Sequence, residues 1–279
     1  MLFHPFAKIN LGLNVVARRS DGYHELETVF YPVPSLNDDL EITPLPAGDA
    51  TVSLTVEGTI ATGATDDNLV TKAYRLLARD YKLPPVRVRL VKRIPTQAGL
   101  GGGSADGAAT LVMLNDLFTL QLGTADLRQY ALRLGADCPF FIDPKPSYAE
   151  GVGERLEPIT LDLSNYNLAI LKPPFAVSTK IAFAGIHVRH PEHNVRHIVT
   201  QPVETWRDTL CNDFETTVFA AHNELAGIKQ RLYDNGAVYA SMTGSGSAIF
   251  ALFTLGHRPS LSDALTAAFP MCDVFVTRA

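Results

Sequence analysis

From Ile9 the chain alternates: Ile9, Leu11, Leu13 and Val15 fall on one face of an extended strand, and Lys8, Asn10, Gly12 and Asn14 on the other. Lys8 and Asn10 therefore point the same way, and a strand face kept polar over that length can line a cleft. Ser20, Asp21 and Gly22 predict a turn, after which Leu26, Thr28 and Phe30 open a second extended run expected to end near Pro32 and Pro34. Further strands are predicted at residues 40–43 and 51–56. Asp67 or Asn68 can cap a helix whose apolar stripe is Leu69, Ala73, Leu76 and Leu77 and which must end before Pro84 and Pro85. Val86, Val88 and Leu90 restore the two-residue period of a strand, and Ala108, Ala109, Leu111, Val112, Asn115 and Phe118 follow at helical spacing. Thr124 is read as the cap of a helix running to Gly135. Ala136, Asp137, Cys138 and Pro139 then form a turn that holds Asp137 at the end of an element.

Past residue 155 the parts change: a strand at 168–171, helices near Thr179 and Leu225, two strands around Gly244, Ser245 and Gly246, and a closing helix and strand. That order predicts an α+β chain in two domains, residues 1–155 and 156–279, with the boundary near 153–158. No internal repeat or low-complexity tract is present.

Between the strand at 86–90 and the following helix lie Pro95, Thr96, Gln97, Ala98, Gly99, Leu100, Gly101, Gly102, Gly103, Ser104 and Ala105. Glycine lets a backbone turn with positive φ and present consecutive N–H groups to an anion, and a helix start adds unpaired amides and the positive end of its dipole. Ser104 offers a hydroxyl to a phosphate or a magnesium ion. Two better-known glycine motifs are excluded. A P-loop requires lysine and then serine or threonine after its last glycine, whereas Gly103 is followed by Ser104 and Ala105. A dinucleotide fingerprint counted from Gly99 requires glycine where Ser104 stands. A phosphate cradle that fits a triphosphate remains, against the plainer reading of a flexible surface turn. Gly107 is expected to weaken its helix by up to about 1 kcal/mol relative to alanine.

Composition narrows the classes. With 46% hydrophobic residues in 279, each of two modest domains can fill a core. A net charge of -5 argues against a nucleic-acid surface, so any phosphate contact is local. The three cysteines, Cys138, Cys211 and Cys272, are odd in number and lack metal-ligand spacing, which predicts a cytoplasmic protein; Cys138 reads as a small buried hydrophobe rather than a nucleophile. Lys8 interrupts the first apolar stretch and nowhere do about 18 apolar residues run together, so neither a signal peptide nor a membrane partner is expected. His187, His190, His193 and His197 gather in one predicted loop, but Pro191 breaks helical spacing and no cysteine or carboxylate cluster joins them. No metal site is expected there.

Three segments together resemble the GHMP kinases, the small-molecule kinases named for galactokinase, homoserine kinase, mevalonate kinase and phosphomevalonate kinase. The glycine loop matches their ATP loop. Ala7, Lys8, Ile9, Asn10 and Leu11, with Arg19, Ser20, Asp21, Gly22, Tyr23 and His24, are similar to the 4-diphosphocytidyl-2-C-methyl-D-erythritol kinase family in particular. Leu134 to Pro139 and Glu150, Gly151, Val152 and Gly153 match two further motifs, and the resemblance runs over the whole chain. The glycine loop alone would identify only the superfamily; the Asp-Gly-Tyr-His and Gly-Ala-Asp-Cys-Pro segments separate this family from its relatives.

The resemblance implies a two-domain fold: an N-terminal ribosomal-protein-S5-domain-2-like ATP domain and a C-terminal ferredoxin-like α+β domain, with the active site in the cleft between them. It implies ATP-dependent phosphorylation of the C2 hydroxyl of 4-diphosphocytidyl-2-C-methyl-D-erythritol in the non-mevalonate isoprenoid pathway, with Mg2+, by a monomer or homodimer. It implies Lys8 and Asp137 as the catalytic pair and residues 95–105 as the ATP site, with Ser104 toward magnesium. Asn10, Tyr23, His24, Thr179 and Phe183 are implied at the substrate, with Tyr23 and Phe183 closing on the cytosine. Gly244, Ser245 and Gly246 are implied near the transferred phosphate. Ala105 and Gly107 stand where some members carry serine and alanine, which makes a side-chain phosphate contact at 105 doubtful. On local pattern alone Asp137 is equally a turn cap, Lys8 a solvated strand lysine, Tyr23 and Phe183 core aromatics, and the second glycine turn a tight strand connection. A catalytically silent nucleotide-binding protein is the alternative class, and another kinase of the superfamily the alternative enzyme.

Overall fold

The computed structural model describes residues 1–46, 51–58, 65–186, 188, 194–256 and 260–279. In chain order the strands are β1 (Leu2–Phe3), β2 (Phe6–Arg18), β3 (His24–Asn37), β4 (Asp39–Pro44), β5 (Val52–Gly58), β6 (Val86–Lys92), β7 (Ser147–Gly151), β8 (Arg155–Pro158), β9 (Tyr166–Lys172), β10 (Tyr239–Met242), β11 (Ile249–Thr254) and β12 (Asp273–Arg278). The helices are α1 (Leu69–Ala78), α2 (Gly102–Leu117), α3 (Thr124–Leu134), α4 (Thr179–Phe183), α5 (Val195–Ile198), α6 (Trp206–Thr209), α7 (Phe214–Ala221), α8 (Asn223–Asp234) and α9 (Leu261–Ala268). They build two compact units. One comprises Met1–Lys8, Pro32–Thr96 and Gly101–Lys145; the other comprises Ile9–Tyr31, Gln97–Leu100 and Pro146–Ala279. Residues 9–31, 97–100 and 146–155 pack with the second unit.

In the first unit a sheet of order β1-β4-β6-β5 pairs β4 and β6 antiparallel and β5 and β6 parallel, α1 supplying the crossover between the parallel pair. Along β6 the chain alternates buried Val86, Val88 and Leu90 with exposed Arg87 and Arg89. The apolar face packs with Leu40 and Ile42 of β4, with Tyr74 and Leu77 of α1, and with Leu111 and Leu114 of α2. Each such side chain taken out of water stabilises the unit by roughly 1.5–3 kcal/mol before entropy is counted. Of the two candidate caps for α1, Asn68 does the capping: its Oδ1 accepts the Val70 N–H at 2.9 Å.

One local expectation is corrected. Thr124 is the first helical residue of α3 and Gly123 its cap, with the Asp126 carboxylate reaching back to the Gly123 N–H at 3.3 Å. At Gly107 the structure adds a reason for the glycine: a Cβ there would stand 2.9 Å from the Leu69 Cβ, so the glycine permits the close crossing of α1.

In the second unit β10-β11-β9-β12 form an antiparallel sheet whose core side meets Phe214 and Val218 of α7, Leu225 and Leu232 of α8, and Leu265 of α9. A second sheet has the order β2-β3-β7-β8. The stretch 9–18 of β2 is fixed there by backbone pairing: the Leu13 N–H donates to the Cys211 carbonyl at 2.9 Å, and the Asp213 N–H to the Leu13 carbonyl at 2.8 Å. Asp213 also accepts the Val15 N–H, at 2.8 Å. β3 does not stop at its prolines but continues through Pro32 and Pro34 to Asn37, since proline fits an extended φ and forfeits only its N–H.

Candidate active site

In the first unit the Lys8 Nζ of β2 stands 3.3 Å from the Asp137 Oδ2. Asp137 immediately precedes the short 3-10 turn Cys138–Ile142, and its side chain caps no N–H there. The Lys8 side chain is only 3% exposed, whereas Asp137 is 35% exposed. The ammonium is therefore held inside the protein while the carboxylate keeps an open side. Cys138, next in sequence, is buried; burial pushes its thiol up to about 12, with Asp137 adding and the neighbouring Ser104 hydroxyl opposing. That thiol stays protonated at neutral pH, as a structural hydrophobe does.

The four glycines of the loop serve different ends. Gly101, in the first unit, caps α2 at φ +72°, and a Cβ on it would press to 2.8 Å from the Phe141 ring and 3.2 Å from the Lys8 Cγ. Gly102 opens the helix with a would-be Cβ 2.8 Å from Ile94 and 3.3 Å from the Lys92 Nζ. Gly103 is exposed, and a Cβ there would meet nothing within 4 Å. No side chain caps the start of α2, so its first-turn amides are left for an external acceptor. In the second unit Gly99, at φ +76°, lies against Thr243: a Cβ would fall 1.9 Å from the Thr243 carbonyl oxygen. Thr243 Oγ1 in turn contacts the Gly99 carbonyl at 3.1 Å.

Behind the α2 start lies a charge network that the sequence reading did not single out. Lys92, at the end of β6, is buried and its ammonium donates to carboxylate oxygens of both Asp38 and Asp106, the latter at 2.7 Å. Asp38 Oδ1 also accepts the backbone N–H groups of Arg93 and Ile94, at 2.5 and 2.9 Å. Asp106 Oδ1 is buried without a hydrogen-bond partner. Burial raises the Asp106 carboxyl above the ordinary carboxylate range against the pull of Lys92; the two carboxylates hold the Lys92 ammonium protonated, overcoming the opposing effect of its burial. One signal was available: Lys92 continues the buried phase of the β6 alternation.

In the second unit the segment Arg19–His24 is a tight turn. Gly22 has φ +88°, the Arg19 N–H donates to the Tyr23 carbonyl at 2.8 Å, and the Tyr23 N–H donates to Asp21 Oδ1 at 3.0 Å. Arg19 binds Asp21 and Glu25, at 3.0 and 2.9 Å. These contacts place Tyr23 outward, 65% exposed, so it is no core aromatic. His24 stacks on Phe183 of α4 with centroids 4.8 Å apart, and Phe183 meets Phe214 edge-on. At that spacing no base fits between His24 and Phe183. Thr179 Oγ1 lies 3.3 Å from Ser245 Oγ in the β10–β11 connection. Asn10 is buried, its N–H donating to Thr243 Oγ1 at 3.0 Å and its amide to Thr28 at 3.0 Å. Asn212, absent from the sequence reading, donates to the carbonyls of Met242 and Gly244, at 2.7 and 2.9 Å, and so fixes the second glycine turn.

Of the clustered histidines, His187, His190 and His193 lie outside the described residues; His197 belongs to α5. Among the described residues no three His, Cys, Asp or Glu side chains gather to hold a metal, and no helix is long and apolar enough to cross a membrane.

Residues 68–143 match the GHMP kinases N terminal domain, and residues 201–270 match the GHMP kinases C terminal domain. A 4-diphosphocytidyl-2-C-methyl-D-erythritol kinase of Bacteroides thetaiotaomicron is 50% identical over 253 residues, 91% of this chain and 92% of that one. Its counterpart in Bacteroides fragilis is 48% identical over 269 residues, 96% of this chain and 97% of that one. The crystal structure of a 4-(cytidine 5'-diphospho)-2C-methyl-D-erythritol kinase superposes with a TM-score of 0.83 at 32% identity, covering 99% of this chain and 98% of that one. At such identity over nearly the full length of each protein, and with the α+β architecture shared throughout, the chain belongs to the 4-diphosphocytidyl-2-C-methyl-D-erythritol kinase family of GHMP kinases.

Proposed function

We propose that this enzyme transfers the γ-phosphoryl group of ATP to the C2 hydroxyl of 4-diphosphocytidyl-2-C-methyl-D-erythritol, a step of non-mevalonate isoprenoid synthesis, with Lys8 and Asp137 as its catalytic pair. The observation that carries the residue assignment is the contact between a buried ammonium and a half-open carboxylate at 3.3 Å. The first unit that holds this pair also holds the uncapped start of α2. Asp137 accepts the proton of the substrate hydroxyl as that oxygen bonds to the γ-phosphorus and the bond to the ADP oxygen breaks. Lys8 keeps the carboxylate ionised and offsets negative charge on the transferring group. Residues 95–105 take the triphosphate, the α2 amides at 102–104 donating to its oxygens. A magnesium ion arriving with the triphosphate would be held mainly by phosphate oxygens and water, with the Ser104 hydroxyl as the protein group assigned to it, and would supply charge neutralisation.

The second unit provides the base site. We assign Tyr23 and Phe183 to the faces of the cytosine and His24 to its edge, an arrangement in which His24 leaves its stack on Phe183, and we assign Thr179 and residues 244–246 to the phosphate side. Asn10 acts by holding Thr243 and Thr28, its amide being engaged by protein already. The enzyme works in the cytoplasm, where Cys138, Cys211 and Cys272 remain free thiols. Incubation with ATP, magnesium and the cytidyl substrate, followed by mass spectrometry, tests the reading: ADP and a monophosphorylated product are expected. Phosphorylation of homoserine or mevalonate in place of the cytidyl compound would overturn it.

A further inference from the structure

Asp38, Lys92 and Asp106 together touch both flanks of the glycine loop. Asp38 lies between β3 and β4 and takes the amides of Arg93 and Ile94, the last residues before Pro95. Its other oxygen takes the Lys92 ammonium, which passes on to Asp106 in the second turn of α2 at 2.7 Å. The Lys92 Nζ also lies where Gly102 leaves no room for a side chain, 3.3 Å from the would-be Cβ. All three charged side chains are at least 97% buried, by 0%, 3% and 2% residual exposure for Asp38, Lys92 and Asp106. Two carboxylates around one ammonium, with Asp106 Oδ1 left unpaired, is a poor exchange for water; apolar side chains of similar volume would usually hold such a core at least as well. What the network does supply is directional: one carboxylate fixes where the chain leaves β6, and one ammonium fixes how the first turns of α2 lie relative to it.

We infer that Asp38, Lys92 and Asp106 are positioning residues that set the two ends of the ATP loop, and thereby the direction in which the α2 amides meet the triphosphate. The inference rests on the loop being the ATP site. A misplacement of about 1 Å in such a cradle costs up to about a hundredfold in a positioned reaction.

The test is the double variant Lys92→Met with Asp106→Leu in the full chain, beside the single variant Asp106→Asn. Asp38 keeps its two amide donors in both. Calorimetry reads the dissociation constant for magnesium-ATP, steady-state kinetics the KM for the cytidyl substrate, and thermal unfolding the Tm. The expected result is a folded double variant with a lowered Tm, because buried Asp38 keeps its charge without the ammonium, ATP binding weakened about tenfold or more, and a cytidyl KM changed less than about twofold, with Asp106→Asn weakening ATP binding by a smaller factor. A folded double variant that binds ATP as wild type does, or that loses both ligands equally, overturns the inference. If the double variant does not fold, Asp106→Asn decides: weaker ATP binding at unchanged Tm supports the inference, and wild-type binding refutes it. Failure of wild type itself to bind ATP would instead overturn the function proposed above.

Discussion

Gly101 and Gly103 stand two residues apart in one loop, yet valine at the two positions should fail in different ways. At Gly101 the backbone has φ +72°, where an L-residue costs about 1–2 kcal/mol and a β-branched one no less. The new Cβ would also stand 2.8 Å from the Phe141 ring, and pressing a side chain into packed surroundings costs about 1–3 kcal/mol. Gly101→Val therefore loses about 2–5 kcal/mol, or a Tm drop of about 5–15 °C for a chain of this size. Gly103 is exposed, helical and free of neighbours within 4 Å, and valine exceeds glycine in helix propensity by a few tenths of a kcal/mol. Its Tm should stay within about 2 °C of wild type. The space its branched side chain fills is the space proposed for a phosphate, so the KM for ATP should rise at least about tenfold, equivalent to about 1.4 kcal/mol. Thermal unfolding and ATP titration at saturating cytidyl substrate read both quantities. A Gly103→Val enzyme with the wild-type KM for ATP would refute the cradle, and a Gly101→Val enzyme with the wild-type Tm would refute the packing argument.

Asp137→Asn keeps the shape of the side chain and removes its charge and proton affinity, so kcat should fall by about 10²- to 10⁴-fold with both substrates still bound; near-normal turnover with a lowered Tm would make Asp137 a turn residue. Lys8→Met should lose turnover similarly, and because the pair is in contact at 3.3 Å the double variant should lose less than the two singles combined; full additivity would deny that they act together. Tyr23→Ala should weaken the cytidyl substrate by about 1–3 kcal/mol and leave Tm unchanged, since Tyr23 is 65% exposed, whereas Phe183→Ala should lower both because Phe183 also packs on Phe214; an equal loss of ATP binding in Tyr23→Ala would contradict the assignment. The Asp39 carboxyl is held down to about 2, first by its hydrogen bond to Arg93 and then by His4, so its stabilising contribution is present above the ordinary carboxylate value and lost as pH falls through about 2. The pair is partly solvated, so the effect is a shallow slope in Tm between about pH 4 and 2, which Asp39→Asn should flatten and which an unchanged slope would disprove.

What was legible in the sequence is what the backbone decides over a few residues. A cap at Asp67 or Asn68, the alternation of β6 and the glycine-rich start of α2 all follow from spacing and local hydrogen bonding, and each is present, the cap being Asn68. The tight turn around Gly22 was legible for the same reason. Local spacing does not say what stands opposite. Gly107 reads only as a weak point in α2 because the Leu69 side chain that crowds an alanine there comes from another helix. The assignment of residues 9–31 to the second unit depends on the Leu13 amide finding the carbonyl of Cys211, a pairing no window of sequence contains.

The buried charges are the sharpest instance. Lys92 occupies an apolar phase of its strand, which alone marks it as anomalous, but a lone buried lysine is compatible with an end of a strand, a substrate contact or an ion pair. Its two carboxylates are 54 and 14 residues away, and only the folded chain assembles them. A polar residue at an apolar phase therefore carries information that a hydrophobic pattern cannot finish reading: something non-local must compensate for its burial. In this enzyme the compensating groups flank the loop where the sequence already concentrates its glycines. Local spacing thus marks the part of the chain proposed to meet phosphate, and the tertiary charge pairs join its two flanks.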